Sequence, residues 1–282
     1  MNAASDPYLY PGTDVLRNVP GLRNARDLAA FETAKTAQRI YQITRNPVSG
    51  RFDTAHLKAI HKRVFQDVFT WAGGFRTTSL GKAEEAGHPP TWFTPPHLLE
   101  QESERIFREL HRANLLRGLG RIEFSRGAAR LLTDVNRLHP FREGNGRTQR
   151  LFLEALAVPA GHALYFDVVS RERMIRASVE ASRGNAGMFV RLLEEISDER
   201  RVKPLRRAIA FLSREKFNWN ETYISTTTPG RNHAGKLVGR DRNEFMLRSD
   251  DDCILIGRVE DIDPQIGIGD RLSFRASGEP DQ

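Results

Sequence analysis

The apolar residues of this chain keep a helical spacing from Asp27 to about residue 216, with one interruption, and then lose it. A 3.6-residue period suits helices that bury one stripe, and short β-rich runs between polar turns suit strands, so the chain reads as mainly α followed by a small all-β part. The first stretch places Leu28, Phe31, Ala34, Ile40 and Ile43 roughly on one face until Asn46-Pro47 and Ser49-Gly50 stop it. Asp53 is positioned to cap a second helix carrying Leu57, Ile60, Val64 and Phe65. Helices are expected again at about 96–117, 121–138, 147–158, from a Ser170 cap through Ala181, and at 185–196 and 199–216. The interruption is at 75–96, where Phe75 to Leu80 and Thr91 to Thr94 are β-leaning pieces around a Gly81 to Pro90 excursion, the pattern of a hairpin or flap.

After Trp219, short β-type runs begin at Tyr223, Lys236, Glu244, Cys253 and Arg271, which reads as a small barrel or sandwich with a boundary near residue 215. Phe245 and Phe274 are expected in its core. Residues 1–22, with Tyr8-Leu9-Tyr10-Pro11-Gly12, read as an irregular arm anchored by aromatics. With a single cysteine, Cys253, the chain can form neither an intramolecular disulfide nor a multi-cysteine zinc site. No secretory leader, membrane span, HExxH or GxxxxGK[ST] pattern is found. The remaining histidines, His56, His61, His88, His97, His111, His162 and His233, lack metal spacing and read as surface or structural. Lys+Arg 43 against Asp+Glu 36 gives a net charge of +7. That excess, with the run Arg200 to Arg207 and Lys236, Arg240 and Arg242, fits either a solvated surface or an anionic partner, and nucleic acid stays open.

The chemistry concentrates in Asn136 to Arg150, between two well-patterned helices. Gly144, Asn145 and Gly146 tolerate unusual dihedrals and close backbone approach, so their N–H groups can converge on an anion at the start of the next helix. Arg147 and Arg150, three apart, can both grip phosphate oxygens. Glu143 offers a hard oxygen to a Mg²⁺ that bridges phosphates. His139 supplies an imidazole able to accept a proton near neutral pH. Phe141 is assigned to the core that holds the loop.

The segment His139 to Arg150 resembles the signature of the Fic family, and His61 to Arg76 resembles the pattern that precedes that family's flap; the likeness covers roughly residues 10–200. The resemblance implies transfer of AMP from ATP to a Ser, Thr or Tyr hydroxyl of a target protein. It implies His139 as base, Glu143 as the Mg²⁺ ligand, Gly144, Asn145 and Gly146 on the phosphates, and Arg147 and Arg150 on the β- and γ-phosphates. Thr77, Thr78, Ser79 and Leu80 would dock the target by main-chain pairing, and the charged tip with Lys82, Glu84, Glu85 and His88 would select it. Gly144 is intact, unlike in the phosphate-transferring Doc branch, which favours AMP transfer; phosphocholine transfer stays open.

No inhibitory helix with Ser or Thr four residues before Glu is found, so the resemblance points to a separate small antitoxin presenting a glutamate to Arg150. The arm and the β-rich end resemble Fic toxins and effectors of type IV secretion systems. The implied protein is bacterial and cytoplasmic, or delivered into a host or recipient cell. The implied layout is an arm at 1–22, a Fic domain at 23–200, a connecting helix at 201–216 and an OB-like barrel at 217–282. In such proteins a secretion-signal domain follows the barrel and none fits after Gln282, so the chain is expected to be part of a longer effector or a shorter relative. The competing reading is a nucleic-acid-binding or adaptor protein with an idle Fic-like part.

Overall fold

The computed structural model describes residues 6–82 and 91–278. The chain divides into two compact units, residues 1–163 and residues 164–282. The first is a helical bundle. Helix α1 (Ala25–Arg45) opens on Asn24, whose side chain accepts from the amides of Arg26 and Asp27. Helix α2 (Thr54–Phe65) opens on Asp53, which accepts from the His56 amide at 2.9 Å, the cap its sequence suggests. Its apolar stripe, Leu57, Ile60, Val64 and Phe65, is buried together with His56 and His61. An antiparallel strand pair follows, β1 (Gly81–Lys82) with β2 (Thr91–Trp92), at the flanks of the expected hairpin. Of the expected charged tip, only the Lys82 backbone is described; Glu84, Glu85 and His88 lie outside the described residues.

Helices α3 (Leu99–Arg112), α4 (Arg121–Leu138) and α5 (Asn145–Ala157) complete this unit. Helix α5 packs on α2 and α4, and Phe124, Leu132, Phe152 and Leu156 are buried in this unit. The burial of such side chains is the main stabilising term. The arm rests Tyr8 edge-on to Trp71 at 5.3 Å.

The second unit joins α6 (Arg171–Ser182), α7 (Gly187–Ile196) and α8 (Glu199–Arg214) to a five-stranded sheet. Ser170 caps α6 as expected, accepting from the Arg173 amide. The strands are β3 (Ile224–Thr226), β4 (Asn232–Arg240), β5 (Glu244–Arg248), β6 (Ile254–Arg258) and β7 (Arg271–Arg275), in the order β3-β6-β5-β4-β7. The β3–β6 pair is parallel and the other pairs are antiparallel. Leu237, Phe245, Leu247, Ile262 and Leu272 form the core against the sheet, with Phe274 packed on it. A buried ion cluster ties the helices to the sheet: Glu195 pairs with Arg173 and Arg201 and accepts from the Thr226 amide. Among the described residues, no helix is long and apolar enough to cross a membrane.

Candidate active site

The site forms where α4 ends and α5 begins. His139 caps α4 in the left-handed region, φ 44°, with its amide bonded to the Val135 carbonyl. Such a conformation is uncommon for a side-chain-bearing residue and persists only where its surroundings enforce it. Phe93, from the returning side of the hairpin, stacks on the His139 imidazole at 3.9 Å and 9°. Phe141 is buried as expected, and the side chain of Asn145 clasps its backbone, accepting from the Phe141 amide at 2.9 Å and donating to its carbonyl at 2.8 Å. Asn145 thus commits its side-chain oxygen and one of its two Nδ2 hydrogens to the loop, and among the described residues its backbone amide faces no protein acceptor.

Gly144 is the left-handed N-cap of α5, φ 84°, and a Cβ there would lie 2.3 Å from the Phe65 ring. Two independent constraints thus demand glycine. The helix starts at Asn145, two residues before the expected Arg147. Among the described residues, the amides of Asn145, Gly146 and Arg147 have no acceptor, while Thr148 is the first to bond back, to the Gly144 carbonyl. These are the orphan donors of a helix start, and a Cβ on Gly146 would meet only open space.

The two arginines differ. Arg147 is tethered by Glu32 on α1 at 2.5 Å, by Thr36 at 3.4 Å and by Glu143 at 3.3 Å, and its guanidinium lies over the Phe65 ring at 4.6 Å. Arg150 has no hydrogen bond or salt bridge among the described residues. Burial draws its pKa down, Arg147 adds to the effect and Glu154 opposes it. It stays cationic, because guanidinium pKa values lie far above neutrality. Glu143 accepts from the Gly144 amide at 2.8 Å and leaves its second oxygen open. Among the described residues, no three His, Cys, Asp or Glu side chains gather as a metal cage. A cation here would rest on one carboxylate and on oxygens of its substrate, the arrangement that suits Mg²⁺.

Two buried side chains that sequence reasoning left without a site role hold the loop. His61 receives the Gly73 amide on Nδ1 at 2.8 Å, so Nε2 carries the proton and donates to the Glu143 carbonyl at 3.0 Å. Burial lowers its pKa to about 4. Arg76 is 2% exposed and bonded to backbone carbonyls of the loop and hairpin. The signal for both was their place in the stretch His61 to Arg76. Thr77, Thr78, Ser79 and Leu80 lead into β1, and Tyr8 accepts the Thr77 amide at 3.0 Å. Arg142, on the loop, pairs with Asp6 at 2.8 Å.

Residues 51–157 match the Fic/DOC family. A probable protein adenylyltransferase of Sinorhizobium fredii, y4lH, is 38% identical over 65% of this chain and 92% of its own length. The chain belongs to the Fic/DOC family. A protein adenylyltransferase of Bartonella henselae is 31% identical over 95% of this chain, and the chain spans 52% of that relative's length. The type IV secretion system effector BepA superposes with a TM-score of 0.88 at 30% identity, covering 98% of this chain and 97% of that one. BepC of Bartonella tribocorum, solved with bound AMPPNP, has a TM-score of 0.62 at 31% identity over 68% of this chain and 96% of that one. The likeness to BepA thus takes in both the helical part and the five-stranded sheet.

Proposed function

We propose that this chain is a protein adenylyltransferase whose site takes ATP at the start of α5. The observation that carries the reading is the unpaired amide row of Asn145, Gly146 and Arg147 beside the unpartnered Arg150 cation, adjoining the imidazole of His139. A row of helix-start amides with a fixed guanidinium and an open one is complementary to a triphosphate. The relatives support it, since they are named adenylyltransferases and BepC holds an ATP analogue.

In this reading the target hydroxyl loses its proton to His139 as its oxygen bonds to the α-phosphorus, and the bond from that phosphorus to the bridging oxygen breaks to release pyrophosphate. Arg147, oriented by Glu32, Thr36 and Glu143, and Arg150 hold the departing phosphates, whose positioning and charge neutralisation supply most of the catalysis in such transfers. Glu143 would hold Mg²⁺ jointly with the phosphates, and the ion supplies further charge neutralisation when bound. The backbone groups of Thr77 to Leu80 that Tyr8, Arg76 and Phe93 leave open would pair with the acceptor segment. The open Arg150 is also the place for a glutamate from a small antitoxin. The likeness to the type IV effector BepA supports delivery by such a system.

The test incubates the chain with α-labelled ATP and Mg²⁺ in bacterial and animal-cell lysates, alongside His139→Ala. A band gaining one AMP by mass spectrometry with wild type only supports the reading. Label from γ-labelled ATP alone would replace it with phosphate transfer.

A further inference from the structure

Arg76 is among the largest fully buried side chains of the protein, yet among the described residues it has no salt bridge. Burying a guanidinium without a counter-ion is costly unless its donors find acceptors, and burial draws its pKa down. Its acceptors are four backbone carbonyls. Nε donates to His139 at 2.8 Å, Nη1 to Thr78 at 2.7 Å, and Nη2 to Thr94 at 2.5 Å and Leu138 at 3.4 Å. Its own amide donates to Pro140 at 2.8 Å.

These partners sort into two sets. Leu138 and His139 end α4, where the negative pole of the helix favours a cation. Thr78 and Thr94 flank the hairpin on its outgoing and returning sides, and the returning side also places Phe93 on the imidazole. The amide of Thr94 bonds to Arg137 at 3.2 Å, which closes the same junction. The amide row of α5 is held by other groups: the Asn145 clasp, the Thr148 bond to Gly144, and His61 on Glu143. One side chain therefore joins hairpin to histidine, and a different set shapes the nucleotide cradle.

We propose that Arg76 is a positioning residue for AMP transfer: it fixes both flanks of the hairpin to the backbone of His139, so that an acceptor segment docked along Thr77 to Leu80 meets the imidazole in a set register. The proposal rests on the adenylyltransferase reading. A lysine cannot reproduce the link, because its donors radiate from one atom whereas the guanidinium spans separated acceptors.

The test compares wild type, Arg76→Lys, Arg76→Gln and His139→Ala. Calorimetry with AMPPNP and Mg²⁺ reads the cradle, labelling of lysate protein at saturating α-labelled ATP reads the transfer, and amide hydrogen exchange reads the junction without any substrate. Both Arg76 variants should bind AMPPNP within about threefold of wild type and lose about a hundredfold in labelling rate, the scale on which small misplacements of reacting groups act. Exchange should rise together at residues 77–80, 91–94 and 138–141, with α2 and α5 still protected. Labelling at the wild-type rate overturns the proposal. So does AMPPNP affinity falling in step with labelling, or exchange rising across the whole first unit, since either makes Arg76 a general stabiliser. A wild type that labels nothing, like His139→Ala, removes the adenylyltransferase reading and with it the role in transfer. The exchange data then judge the junction alone, and protection lost in only one of the three segments shows that Arg76 does not join them.

Discussion

At the scale of single residues, the site is built on positions that tolerate no substitute for stated reasons. Gly144 combines a left-handed backbone with a ring packed where a Cβ would go. Gly144→Ala should destabilise the chain by about 1–3 kcal/mol, the usual cost of a side chain in such a conformation. Part of that loss should be recovered when Phe65→Leu removes the ring, so a double-mutant cycle in urea should show coupling; strict additivity would mean that the two do not collide. His61 makes a prediction about pH. Its folded pKa, about 4, lies below the ordinary histidine value of 6.5. Between those two values the unfolded chain takes up a proton that the buried imidazole refuses, so stability falls as pH falls through that window. The slope approaches about 1.4 kcal/mol per pH unit for this one group. Urea midpoints from pH 7 to 4 should fall more steeply for wild type than for His61→Gln, and parallel profiles would refute the assignment.

At the scale of elements, capping chemistry was legible and long-range acceptors were not. Asp53 and Ser170 start α2 and α6 where the sequence placed them, because a cap is a local bond between a side chain and amides two or three residues on. Asp53→Ala should cost about 1 kcal/mol in urea unfolding, the usual price of a lost cap; an unchanged midpoint would show that the bond contributes nothing. Helix α5 starts earlier than expected because Gly and Asn are poor helix formers in isolation, whereas here the left-handed Gly144 and the Asn145 clasp make them the first turn. Strand β4 runs from Asn232 to Arg240, starting four residues before the expected Lys236, since Ala234 and Gly235 carry little hydrophobic signal. Among the described residues each hairpin strand shows two residues, and the segment before them is engaged by Arg76 and Tyr8. The histidine, the arginines and the glycine loop were readable because they lie within twelve residues. Arg76, His61, Phe93 and Glu32 reach the loop from distant parts of the sequence, and nothing local marks what they touch.

At the scale of the whole molecule, the break in composition near residue 215 falls inside the second compact unit, not between the two. The reason is the buried cluster on Glu195: helices α6 to α8 and the sheet share one set of charges. Burial alone would raise the Glu195 carboxyl, but Arg173 and Arg201 hold it below the usual carboxylate range. Glu195→Gln leaves two cations without a buried counter-charge and should cost about 3–5 kcal/mol, as removal of one partner of a buried pair does. A nucleotide that binds at the start of α5 stabilises the unit that contains it by mass action, about 2.7 kcal/mol at a hundred times its Kd. Calorimetric unfolding should therefore resolve two responses, one transition raised by AMPPNP with Mg²⁺ and another lowered by Glu195→Gln. A single transition displaced by both would show that the two cores melt as one, and that the charges on Glu195 govern the stability of the nucleotide site as well as of the sheet.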